Sequence, residues 1–154
     1  MRIKRALLSV WNKDLIVELG KFLCEQDIEI LSTGGTKKVL EEAGLDITSI
    51  SFLTGNGAIM DGRVKTLHPK VFGGILADRE NPTHLHDLDD IHGLEIDMVV
   101  VNFYPFVKEA VEKELDFKEA IEFIDIGGPS MIRAAAKNHL RVAIVVDPSD
   151  YSRV

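Results

Sequence analysis

The sequence predicts an α/β domain built on a mostly parallel sheet, and three observations predict it. Short runs rich in β-branched residues alternate with stretches of helical periodicity, the pattern of strand–helix–strand crossovers. The strand-like runs, Val99-Val100-Val101 above all, are apolar without alternation, as strands covered on both faces must be. Polar segments follow directly on several of these runs, where the loops of an open parallel sheet gather around a ligand.

The elements follow in order. Ala6-Leu7-Leu8-Ser9-Val10 reads as a buried first strand, and Asp14 to Gln26 as a helix whose apolar face is Leu15, Leu19, Phe22 and Leu23. Ile28 to Ser32 is a second strand, followed by a short helix from Thr36 to Ala43 that Gly44 closes. Ile47 to Ile50 reads as a brief strand. Gly73-Gly74-Ile75-Leu76 either resumes the sheet or flanks it. Glu80 to His92 is polar and reads as a surface helix with loops at each end. Asp97 to Asn102 is the clearest strand. Val107–Leu115 and Phe117–Phe123 are helical in pattern, as is Pro129–Lys137, with proline in the permissive first turn. Val142 to Val146 is the last buried strand. Asp147 to Tyr151 reads as the entry to a further helix, so a longer natural chain is expected.

A chain of 154 residues, 45% hydrophobic and 28% charged, forms one domain with a core of its own. A net charge of −7 without a basic stripe argues against nucleic acid or a membrane surface as partner. Cys24 is the only cysteine, so no internal disulfide is possible, and its apolar helical position reads as a structural thiol. The charged start, Met1 to Arg5, precedes an apolar run too short for a signal peptide. A soluble, cytoplasmic protein is expected.

Four polar segments could carry chemistry. In Ser32-Thr33-Gly34-Gly35-Thr36, backbone N–H groups, hydroxyls and a helix N-terminus suit a phosphate, although a plain turn with an N-cap would use the same residues. Asp61 to Lys70 concentrates Arg63, Lys65, His68 and Lys70 in an acidic chain, which points to an anion site. Asn102-Phe103-Tyr104-Pro105 offers an amide able to read a carbonyl–amide edge and a phenol able to relay a proton; it would also serve as a strand-end turn. Asp125, between Ile124 and Ile126, needs a partner if ionised, and Lys137 could be that partner, either as a structural ion pair or as an acid–base pair. His84 to His92 is rich in metal-ligand types, but on a helix its Leu85, Leu88 and Ile91 face inward and the ligand types do not converge. No metal is expected there.

Taken together, Gly62-Arg63-Val64-Lys65-Thr66-Leu67-His68-Pro69, Asn102 with Tyr104-Pro105-Phe106, and Ile124 to Gly128 through Arg133 to His139 resemble the IMP cyclohydrolase domain family. In that family the domain is the N-terminal part of bifunctional purine-biosynthesis proteins that also carry aminoimidazole carboxamide ribotide transformylase. The resemblance runs along nearly the whole chain. It implies a methylglyoxal-synthase-like three-layer α/β/α sandwich and ring closure of formamidoimidazole carboxamide ribotide to inosine monophosphate, with no metal or organic cofactor. It further implies a small purine ribotide as substrate and, in the full-length protein, a C-terminal transformylase domain and a homodimer.

The resemblance also implies roles. Lys65 and the Thr66 N–H would face the formyl oxygen, Asp125 would take the carboxamide proton, and Lys137 with Tyr104 would move protons as water leaves. Arg63, Asn102 and Ile126, with Gly127 beside them, would contact the base. Lys13 with Ser32, Thr33, Gly34, Gly35 and Thr36 would cradle the phosphate. Two departures stand out: Trp11-Asn12 precede Lys13 where the family usually has Ser-Asp, and Phe72 stands where it commonly has His. Methylglyoxal synthase and an allosteric ligand-binding module share this fold, so fold alone does not separate the three. Arg63 to Thr66 and Lys137-Asn138-His139 favour the cyclohydrolase.

Overall fold

The computed structural model describes residues 2–154. Five parallel strands form its sheet: β1 (Arg5–Ser9), β2 (Glu29–Ser32), β3 (Thr48–Ser49), β4 (Met98–Val101) and β5 (Ala143–Val145), in the order β3-β2-β1-β4-β5. Seven α-helices connect them: α1 (Ile16–Glu25), α2 (Gly34–Glu42), α3 (Ile50–Thr54), α4 (Pro69–Leu76), α5 (Pro82–Asp90), α6 (Phe117–Ile121) and α7 (Gly127–Lys137).

Strand alternation divides the core into two layers. Ala6, Leu8 and Val10 point to one face with Ile16, Leu19, Leu23 and Leu40 of α1 and α2; Leu7 points to the other with Val71, Ile75, Met131 and Ala135 of α4 and α7. This is the expected three-layer sandwich. Cys24 packs at the margin of the first layer, and burial, aided by the charge of Asp46, pushes its thiol up and away from the reactive thiolate.

The chain runs outward from β1 through β2 to β3, then returns to add β4 on the other side of β1. The sheet therefore has a topological switch point between β1 and β4, where a crevice must open because the two connections leave in opposite directions. β1 and β4 are in register from Ala6↔Met98 to Ser9↔Val101, so they end level and their following loops face each other. At the opposite end of the sheet, buried Asp97 accepts the N–H groups of Lys4 (2.7 Å) and Arg5 (2.8 Å) and pairs with Arg79 (2.5 Å).

One element the sequence left open is settled here, and three others differ from the expectation. Gly73 to Leu76 is the end of helix α4, because His68 caps Lys70 N–H through Nδ1 (3.2 Å) and Pro69 starts the helix. The third strand shrinks to Thr48–Ser49, since the Ser49 hydroxyl caps Ser51 N–H and begins α3, which the sequence did not announce. Val107–Leu115 is not a regular α-helix: Glu112 N–H bonds Val107 O (2.8 Å), the i→i−5 pattern of a π turn. Asp147 to Tyr151 leads into a 3₁₀ turn, Pro148–Arg153.

Candidate active site

A cleft of about 650 Å³ opens at the switch point and takes its walls from all four polar segments. The β1 loop is held first. Asn102 Oδ1 accepts the N–H groups of Trp11 (2.7 Å) and Asn12 (2.8 Å), and its Nδ2 donates to Asn12 O (3.3 Å). The amide does read a carbonyl–amide edge in both directions, but the edge belongs to the neighbouring main chain. In this structure Asn102 positions the Trp11–Lys13 loop and also lines the cleft. Thr36 is likewise committed, accepting Val10 N–H (3.0 Å) and donating to Val10 O (2.9 Å).

This clasp presents Lys13 beside the N-terminus of α2. Its Nζ donates to the carbonyls of Val10 and Trp11. Lys65 approaches the same place, its Nζ 3.5 Å from where a Cβ on Gly34 would lie, while Lys13 Cε lies 4.0 Å from that position on Gly35. Burial, and then the charge of Lys65, hold the Lys13 ammonium below its ordinary pKa. Two lysines converging on a helix N-terminus form a strong anion subsite. Gly34 has φ +55°, which turns the loop into the helix and favours a residue without a Cβ.

The basic segment is a tight hairpin. Ile59 and Val64 exchange backbone bonds (3.0 and 3.3 Å), and Met60, Asp61 and Gly62 are all left-handed, with φ of 54°, 53° and 90°. The turn projects Arg63 across the cleft mouth, where its guanidinium pairs with Glu122. Thr66 is buried at the base of this loop.

Opposite lies the N-terminus of α7. Asp125 Oδ1 accepts Gly128 N–H (2.9 Å), so the half-buried carboxylate sits on the positive end of that helix. The two glycines after Ile126 have a steric cause. A Cβ on Gly128 would lie 2.9 Å from the Asp125 carboxylate, and one on Gly127 would lie 2.9 Å from the Thr66 hydroxyl. Tyr104 completes the wall, tilted against Trp11 (centroids 6.2 Å, 57°) and edge-on to Phe123 (5.7 Å, 88°).

Lys13, Thr33, Gly35, Thr36, Arg63, Lys65, Thr66, Asn102, Tyr104, Asp125, Ile126 and Gly127 thus share one cleft. Three expected site residues are not among its lining: Gly34, which starts α2 beside Lys65, and Ser32 and Lys137. Ser32 is fully buried at the end of β2, its hydroxyl donating to Leu8 O (2.7 Å), so it braces the sheet. Lys137 is the last residue of α7 and exposed. Ten helical steps put it about 15 Å from Gly127, and the adjoining Asn138 bonds the carbonyls of Ile75 and Ala77 at the far end of α4. The partner of Asp125 is therefore the α7 N-terminus and not Lys137.

Glu122 and Phe123 were not anticipated. Glu122 lies three residues before Asp125, but only the fold sets it against Arg63, and nothing local in the sequence marks it. The His-rich α5 lies elsewhere: His84 Nδ1 accepts Asp78 N–H (3.2 Å) and His86 turns to Asp90, so these side chains diverge. Among the described residues no helix is long and apolar enough to cross a membrane.

A family model described as the MGS-like domain matches residues 15–130. The chain is 57% identical over 151 residues to the bifunctional purine biosynthesis protein PurH of Halalkalibacterium halodurans and 56% identical to that of Bacillus cytotoxicus. Each alignment takes in 98% of this chain and 30% of the relative, so the chain spans under a third of the length of these curated relatives. Among solved structures, the crystal structure of ForH is similar with a TM-score of 0.84 and 36% identity, over 99% of this chain and 78% of that one.

Proposed function

Because the chain belongs to the MGS-like domain family, we propose that it is an IMP cyclohydrolase domain. It joins the formamido and carboxamide groups of formamidoimidazole carboxamide ribotide, releasing water and forming inosine monophosphate. One observation carries the reading beyond the relatives' names: an anion subsite, a lysine, a phenol and a helix-capped carboxylate line a single cleft.

Both reacting groups belong to one molecule, so the substrate supplies its own proximity. The chain must anchor the ribotide, remove a proton from a poor amide nucleophile and stabilise the oxyanion that forms. Lys13 and the Thr33–Thr36 turn at α2 hold the phosphate. Lys65 and the Thr66 N–H face the formyl oxygen as it gains charge. Asp125, held by Gly128 N–H at the α7 N-terminus, takes the carboxamide proton. The leaving hydroxyl then needs a proton, and within this cleft Tyr104 and Lys65 are the groups able to give one. Lys137, which the resemblance casts in that role, stands at the other end of α7. Arg63, released from Glu122, contacts the base.

The reading implies a cytoplasmic protein, a transformylase domain as covalent neighbour and a second copy of the chain as partner. An ultraviolet progress curve with the formylated ribotide tests the activity. Inosine monophosphate forming above the uncatalysed rate is expected, and no product from well-folded chain refutes the assignment.

A further inference from the structure

We propose that Trp11 is a stacking platform for the planar heterocycle of the ligand, making the cleft selective for a nucleotide over a bare sugar phosphate. This rests on the ribotide reading above and adds a residue to it.

The main chain of Trp11 is fixed on every side. Its N–H goes to Asn102 Oδ1 (2.7 Å) and Asn102 O (3.3 Å), and its carbonyl accepts from Lys13 Nζ (3.1 Å). The side chain is held differently. Among the described residues Tyr104 is its one aromatic neighbour, and the residue, 38% exposed, lines the cleft. Among the described residues the indole N–H has no hydrogen-bond partner. Tyr104, by contrast, has Trp11 on one side and Phe123 edge-on, which fixes its ring in turn. The result is a large apolar plate in the loop after β1, its main chain tied by hydrogen bonds.

The plate is also placed usefully. Lys13, two residues on, belongs to the anion subsite, and Tyr104 and Asp125 line the rest of the cleft. A phosphate held at Lys13 and the α2 N-terminus leaves a base attached through its sugar to lie along the wall that Trp11 and Tyr104 form. Planar heterocycles bind such faces by stacking whatever their polar edge, because every base has a π face. Base–aromatic stacking of this kind corresponds to about tenfold in affinity, within a wide range.

Trp11 is the only tryptophan, so its fluorescence reports this wall alone. The test titrates the whole chain with inosine monophosphate and with ribose 5-phosphate, following that emission, and measures both affinities by calorimetry. Inosine monophosphate should quench or shift the emission, while saturating ribose 5-phosphate should leave it close to the free value. Trp11→Ala should weaken inosine monophosphate about tenfold and leave ribose 5-phosphate unchanged, with Trp11→Phe restoring most of the loss. Equal quenching by both ligands would overturn the proposal, as would equal weakening of both by Trp11→Ala, since Trp11 would then act through the phosphate loop. Unchanged affinity for both would overturn it too. A chain that turns over the ribotide while Trp11→Ala changes nothing loses only the stacking; a chain that neither turns over ribotide nor binds inosine monophosphate loses both readings.

Discussion

Asn102→Ala should release the Trp11–Lys13 loop, and the size of the effect follows from three bonds. The acceptor atom Oδ1 serves two short contacts, at 2.7 and 2.8 Å, while the Nδ2 contact at 3.3 Å is weaker. An intramolecular hydrogen bond contributes about 0.5–1.5 kcal/mol net. Trp11 N–H keeps a secondary partner in Asn102 O (3.3 Å), and Asn12 is only partly buried, so water recovers part of the loss. The expected destabilisation is about 1–3 kcal/mol in urea melts. Asn102→Asp retains both acceptances, strengthened by charge, and loses only the long donor contact, so it should fall between wild type and Asn102→Ala. Affinity for inorganic phosphate should drop in both variants: in Asn102→Ala because Lys13 is no longer held, in Asn102→Asp because a negative charge now stands near the anion subsite. The reasoning fails if Asn102→Ala melts with wild type, or if Asn102→Asp is the less stable of the two. Either result would mean that the amide is free to serve the ligand.

Three further expectations follow from the site and core. Asp125→Ala should lower turnover by about 10²–10⁴, the usual contribution of a positioned base, while Lys137→Ala leaves the calorimetric affinity for inosine monophosphate unchanged; a large binding loss in the latter would place its ammonium in the cleft. Lys13 is depressed by burial and by Lys65, so its charged form opposes folding at neutral pH, and the penalty fades as pH rises toward the ordinary lysine value of 10.5. The negative charge of a bound phosphate favours the charged ammonium, outweighing the Lys65 repulsion, and raises that pKa, so binding in the alkaline range should take up protons. Calorimetry in two buffers of different ionisation enthalpy would detect this, and Lys13→Met should abolish it. Tyr151 has its phenol pushed up to about 12, by burial first and by Asp147 second, and its buried hydroxyl has no partner. Because the unfolded chain loses that proton first, its contribution to stability is present below pH 10 and fades as pH rises toward 12. Tyr151→Phe should remove that dependence in alkaline melts and stabilise by about 1 kcal/mol.

The sequence by itself located the four long strands and the layer count, because burial on both faces imposes continuous apolar runs whatever the strand order; it left Gly73 to Leu76 open. It also marked the segments that build the cleft: Ser32 to Thr36, Asp61 to Lys70, Asn102 to Pro105 and Asp125 to Ser130 all stand where helices start or strands end. Helix α3 and the π turn at Val107–Val111 escaped it, being single turns decided by one serine cap and one shifted hydrogen-bond register. Which side chains meet inside the cleft was decided by tertiary structure alone. Setting β4 beside β1 brings Asn102 to Trp11 across 91 positions of chain, so the cleft amide also clasps a loop. The hairpin at Met60–Gly62 sets Arg63 against Glu122, 59 residues away. Lys137 is the converse case. It lies close to Asp125 in sequence, yet the length of the intervening helix carries the lysine away toward the end of α4. Local preferences report which segments are strands, helices or turns; they carry no information on which distant polar groups meet, because that depends on the order in which the strands pack.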